Sequence, residues 1–136
     1  MFGPPSHVYV YLSYGMHHCV NLVCSPDGEA SAVLLRGGQV IAGHDDARRR
    51  RGNVPENRLA CGPGNMGSAL GANLEESGDP VSLIGNGAVP AQGWRLEPAL
   101  ETAEFRQGTR VGISRNTDAP WRWWIPQDPT VSGPRT

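Results

Sequence analysis

Tyr9 and Tyr11 stand two positions apart in the run Val8–Ser13, and a third tyrosine, Tyr14, directly precedes Gly15. Residues two apart on a strand project from one face, so the first two rings would sit about 6.5–7 Å apart. In an ordinary domain such a pair packs into the core. Next to an exposed aromatic it would instead make a stacking slot for a flat ligand, since stacking a base on an aromatic ring contributes about 1–3 kcal/mol. Tyr14 fits a core poorly, because hairpin tips are wet. Proteins that kink duplexes push a side-chain wedge of this kind between base steps.

Other groups invite chemistry and carry a plainer reading beside it. His17, His18, Cys19 and Cys24 resemble metal ligands on paper. An odd spacing sends Cys19 and Cys24 to opposite faces of a regular strand, so no metal is expected. The run Arg48–Arg51 reads as a solvated helix end that can still touch phosphate, which positions a protein on DNA without specifying sequence. The Gly62-Pro63-Gly64 turn leads into a helix whose first N–H groups could face an anion. Alone, that turn is simply a helix start.

The elements that must hold these residues follow from pattern. Val8–Ser13 alternates as a strand does, and residues 17–24 read as its return, with Tyr14 near the tip of the hairpin. Pro26-Asp27-Gly28 is a turn, and Ala32–Arg36 a third, buried strand. His44–Arg51 predicts a short helix, with Asp45 and Asp46 in its first turn, arginines in its last and Gly52 as the stop. Asn65–Leu70 predicts another. Residues 81–84, 110–114 and 122–125 are short strand candidates. Trp121, Trp123 and Trp124 are read as core and edge packing. The fold class is α+β: a single mixed, mostly antiparallel, β-rich domain over residues 1–136, with short helices and a protruding hairpin.

The bulk numbers agree with one domain and exclude several classes. The chain has 136 residues, 18 Gly and 12 Pro without a repeating period, and a net charge of -1. Global charge therefore does not announce a nucleic acid. All twelve basic residues are arginine, whose planar fork suits phosphate, although a GC-rich genome explains the same bias. Three cysteines make no disulfide framework, and a reducing cytoplasm is expected. No stretch approaches the roughly 20 apolar residues of a membrane helix, and the N-terminus lacks the pattern of a signal peptide.

The segment MFGPPSHVYVYLSYGMHHCVN (1–21) resembles the hairpin signature of the alkyladenine (3-methyladenine) DNA glycosylases. Similar blocks follow in order: AVLLRG at 32–37, RRRR at 48–51, CGPGNMGSALG at 61–71, RVGIS at 110–114 and PWRWW at 120–124. The resemblance implies base-excision repair of double-stranded DNA by a monomer without cofactor. A damaged purine is flipped out, at a cost of a few kcal/mol that is least at damaged pairs, and its N-glycosidic bond is hydrolysed. 3-Methyladenine, 7-methylguanine, hypoxanthine and ethenoadenine are the lesions it suggests.

The same resemblance assigns roles. Tyr14 would fill the gap left by the flipped nucleotide, Tyr11 would stack on the extruded base, and Tyr9 would help line the pocket. Asn21 would lie where the 2-amino group of guanine clashes. Arg36 would sit near the target phosphate and the attacking water. Gly64, Asn65 and Arg48 are expected phosphate contacts, although the family typically carries Lys where Asn65 stands. No lysine is present to form a Schiff base, so lyase chemistry is not expected. Hydrolysis needs a general base. In the family this is a Glu in a strand (resembling E-x-E-A-Y) ahead of the hairpin, and the 136 residues contain no match to it. Met1 is therefore expected to be an internal methionine of a longer reading frame. Two other readings stay open: a remnant that binds distorted duplex without cleaving, and a small domain whose tyrosine slot holds a free purine.

Overall fold

The computed structural model describes residues 1–83 and 93–136. Its centre is a three-stranded antiparallel sheet in the order β1 (Val8–Ser13), β2 (His17–Val23), β3 (Ala32–Leu34). Alternation sets the register: Val8 opposes Leu22 and Val10 opposes Val20, while Tyr9 opposes Asn21 and Tyr11 opposes Cys19. Val8, Val10 and Val20 are buried with Ala72 and Val81, and Leu22, Leu35 and Trp94 close around them. A one-residue slip would exchange the two faces, so burying the valines fixes where the tyrosines go.

Two helices follow, α1 (His44–Arg51) and α2 (Pro63–Leu70); α2 packs on β2 and α1 packs on α2. Pro63 starts α2 at a position where its missing N–H costs nothing, and Gly71 ends it in the left-handed conformation. Ala47, Leu59, Ala60 and Ala69 form a second small core between the helices, with Val40, Val54 and Met66 against it. The remaining strands are short pairs: β4 (Val81–Leu83) parallel to β5 (Trp94–Leu96), and β6 (Arg106–Gly108) antiparallel to β7 (Arg122–Trp124). The α+β class with mainly antiparallel pairing holds. Among the described residues no helix is long and apolar enough to cross a membrane.

Several expectations need correction. The strand expected over 110–114 is absent: Gly112 has φ +71, which breaks an extended run, and the partner of β7 is Arg106–Gly108 instead. The third strand stops at Leu34, so Arg36 lies beyond it. Of the candidate at 81–84, residues 81–83 form β4, and residue 84 lies outside the described residues. Trp121 and Trp123 are more than half exposed, because alternation along β7 turns Arg122 and Trp124 inward. The arginine run is not simply a solvated end. Arg50 donates to the carbonyl of Ala69 (2.8 Å) and Arg51 to that of Leu59 (2.8 Å), satisfying carbonyl groups of α2 and the turn before it.

Candidate nucleic-acid interface

The hairpin places three of the expected residues on one face. Tyr9 and Tyr11 stack on each other with ring centroids 5.8 Å apart and planes inclined by 28°. That separation is direct aromatic contact. The rings therefore form one continuous wall, and no base fits between them. Asn21, only 6% exposed, lies across the ladder from Tyr9 and donates its side-chain N–H to the Tyr9 carbonyl at 3.2 Å. The amide is thereby held against the neighbouring strand. Cys19 is buried opposite Tyr11. Burial, with the Cys19 thiol and neighbouring tyrosines adding to it, raises the Tyr11 phenol above its ordinary value near 10.0. The phenol is neutral at physiological pH.

The tip is built for exposure. Tyr14 has φ +51 and Gly15 φ +67, the pair of positive values that a type I′ turn requires, and the N–H of Met16 bonds the Ser13 carbonyl at 3.1 Å. Glycine adopts this conformation freely, whereas tyrosine rarely does. Tyr14 is 87% exposed, with Leu12 and Met16 also exposed beside it. A strained, apolar, solvent-facing tip is costly unless something covers it on binding.

Helix α2 approaches β2 through its glycines. Gly67 faces the His18 carbonyl, and Gly64 faces the His17 imidazole, where an added Cβ would come within 2.8 Å of the ring. The start of α2 thus lies beside the outer end of the hairpin. Asn65 turns its side-chain N–H back to the Cys61 carbonyl (2.7 Å), and the backbone N–H groups of Gly64 and Asn65 lie in the first turn of α2, where no intrahelical acceptor reaches them. Arg48 is exposed on α1, which packs on α2.

Arg36 follows β3 and is half-buried. It donates to the Ser132 hydroxyl at 3.2 Å, and burial, aided by the charge of Arg122, lowers its guanidinium pKa. Arg122 is 3% exposed, stacks over the Trp124 ring at 4.3 Å and donates to the carbonyls of Ser132 (3.1 Å) and Pro134 (2.5 Å). Sequence reasoning missed Arg122, Ser132 and the packing of Cys19 against Tyr11. A lone arginine among three tryptophans was the available signal, since a buried cation must find acceptors.

A cleft of about 380 Å³ between α1, α2 and residues 38–43 shares no lining residue with the tyrosine wall. Among the described residues no three His, Cys, Asp or Glu side chains converge as metal ligands. Cys24 is exposed and bonds Ser31 (3.1 Å), away from Cys19.

Comparison with known proteins adds a family. A family model described as methylpurine-DNA glycosylase matches residues 1–129. A protein of Cutibacterium acnes, provisionally named 3-methyladenine DNA glycosylase, is 90% identical over 136 residues, all of this chain and 71% of the relative. Proteins of the same provisional name from Corynebacterium jeikeium and Mycobacterium leprae are 51% and 44% identical over 140 residues each. They are covered to 66% and 59% of their own lengths, and cover 99% and 97% of this chain.

Proposed function

Because the chain belongs to the methylpurine-DNA glycosylase family, we propose that it acts in base-excision repair, holding duplex DNA with an alkylated or deaminated purine flipped out for hydrolysis of its N-glycosidic bond. The observation that carries this reading is the coupling of a wedge to a wall. Exposed Tyr14, at a strained tip, is three residues from the Tyr9–Tyr11 stack and its buried neighbour Asn21. Tyr14 enters the stack and fills the gap, the outer face of the tyrosine wall takes the extruded purine, and Asn21 meets the purine edge and turns guanine away. Arg36 and the backbone at Gly64 and Asn65, with Arg48, hold phosphates.

An alkylated purine is cationic or electron-poor, and its glycosidic bond is already weak. The protein therefore needs to orient a water and disfavour normal bases. Among the described residues, no carboxylate shares a hydrogen bond or ion pair with Tyr9, Tyr11, Asn21 or Arg36. That observation supports a second, narrower reading, in which these 136 residues recognise and grip the lesion while the water-activating Glu implied by the family lies elsewhere.

The test is single-turnover release of hypoxanthine from a duplex carrying one such base, with the 136-residue chain beside a version extended upstream, and duplex affinity measured for both. Release by the extended protein alone, with lesion binding by both, fits the division of labour. Release by the short chain would put the general base within it. No preference for lesion over undamaged duplex in either would sink the function.

A further inference from the structure

The residues around Arg36 form a chain of hydrogen bonds that ends on a residue with no direct place in the site. Arg122 sits in β7, buried, and its terminal N–H group spans the carbonyls of Ser132 and Pro134. The Ser132 hydroxyl in turn accepts from Arg36 at 3.2 Å. The same stretch of tail is wedged between two glycines. The Thr130 carbonyl lies 2.9 Å from where a Cβ on Gly37 would be, and Ser132 Cβ lies 3.7 Å from the equivalent point on Gly62, the residue that opens α2. Arg36, the start of α2 and the tail thus meet at Ser132.

Charge makes the arrangement informative. Two guanidinium groups lie close enough for one to depress the pKa of the other, and no carboxylate stands within ion-pairing distance of either among the described residues. A carboxylate partner would neutralise Arg36. The Ser132 hydroxyl is a neutral acceptor, so it aims the head without cancelling its charge. Arg122 is held by two carbonyls and by the Trp124 face, which likewise add no negative charge, while its buried Nε has no hydrogen-bond partner among the described residues. Arginine suits this task because its planar head lies over the Trp124 ring while a single terminal nitrogen, Nη2, reaches both carbonyls, an arrangement a flexible lysine ammonium does not reproduce.

We propose that Arg122 is a positioning residue that fixes the tail at Ser132 and, through the Ser132 hydroxyl, holds the Arg36 guanidinium uncancelled and aimed at the phosphate of the target nucleotide. This rests on the reading above that Arg36 faces that phosphate. Ser132→Ala deletes only the link, because Arg122 binds the backbone carbonyl of that residue. Arg122→Lys keeps the charge and removes the planar head that lies over Trp124.

The experiment measures the affinity of the full chain for a hypoxanthine-bearing duplex across a salt series, with melting temperature recorded for each variant. Arg36→Ala lowers the slope of log affinity against log salt by about 0.9, the effect of one phosphate contact. Ser132→Ala weakens binding roughly twofold to tenfold, reduces the slope in the same direction, and adds nothing once Arg36 is alanine. Arg122→Lys melts lower, and its binding loss also vanishes in the Arg36→Ala background. If Ser132→Ala binds like the parent, or its loss is equal with and without Arg36, the tail is only scaffold and the positioning role is wrong. If Arg36→Ala itself leaves affinity and slope unchanged, the phosphate reading of Arg36 fails, and the inference with it.

Discussion

Gly67 of α2 lies against the main-chain carbonyl of His18 in β2, so close that a methyl group on Gly67 would sit 1.7 Å from the oxygen. No rotamer change relieves such an overlap, because the obstacle is backbone. The helix and the hairpin are therefore docked through a glycine, and the start of α2 is brought beside the hairpin tip by that docking. Gly67→Ala must push the helix off the strand, an overpacking cost of about 3 kcal/mol or more. Urea unfolding will read this as a large drop in midpoint or as failure to fold. An alanine variant of parental stability would mean that the two elements are not packed in this way.

The arginine run divides into structural and free members. Arg50 donates to the Ala69 carbonyl and lies over Gly71, while Arg49 pairs with Asp46 at 2.7 Å and the Arg48 side chain has no hydrogen-bond partner among the described residues. Arg50→Met keeps the aliphatic stem and loses the bond, which should destabilise by about 1 kcal/mol and leave the salt slope of DNA binding intact. Arg48→Met should do the reverse, with unchanged melting and a slope smaller by about 0.9. Identical behaviour of the two variants in both assays would erase the distinction.

Much of the framework that carries the candidate site was legible because it is local. Alternation in Val8–Ser13 and the Tyr14-Gly15 pair specify the hairpin, its register and an exposed tip from neighbours in sequence. The relations that escaped are long-range. Arg36 and Ser132 are 96 positions apart, and nothing in either segment announces their bond. Arg50 looked like surface charge because helix pattern shows which face a residue occupies and not which carbonyl lies across from it. Tyr9 and Tyr11 share one face as the alternation implies, but their rings lean together to 5.8 Å, and their mutual stacking turns an expected slot into a wall. The misread strand at 110–114 fell to Gly112, whose left-handed backbone overrode an apolar run.

Tyr14 couples strain to function, which makes its two simplest replacements instructive. Its ring is 87% exposed and its φ is +51, so the folded chain gains little from the side chain and bears the backbone cost. Tyr14→Ala should weaken binding to a hypoxanthine duplex by the worth of one stacked ring, about 1–3 kcal/mol, with little change in melting. Tyr14→Gly should bind as weakly while melting at or above the parent, since glycine relieves the positive φ. Fluorescence anisotropy and thermal melts decide this. Full affinity in either variant would remove Tyr14 from the interface.

The Tyr11 phenol gives the folded chain a pH signature. Burial, with Cys19 against it, raises its pKa in the folded chain above the value near 10.0 expected of an open chain. The folded state then holds this proton more tightly than the unfolded state. The stabilisation is complete below about pH 10 and is lost as pH rises through the folded value, so stability falls with rising pH across that window. Tyr11→Phe removes the titrating group and keeps the ring on Tyr9. Its unfolding free energy should decline less steeply than that of the parent above about pH 10, while the two profiles run parallel from neutral pH upward to that point. Equal slopes above it would show that the phenol is as well solvated in the fold as in the open chain. The base-facing wall would then be wetter than the packing of Tyr11 against Cys19 implies.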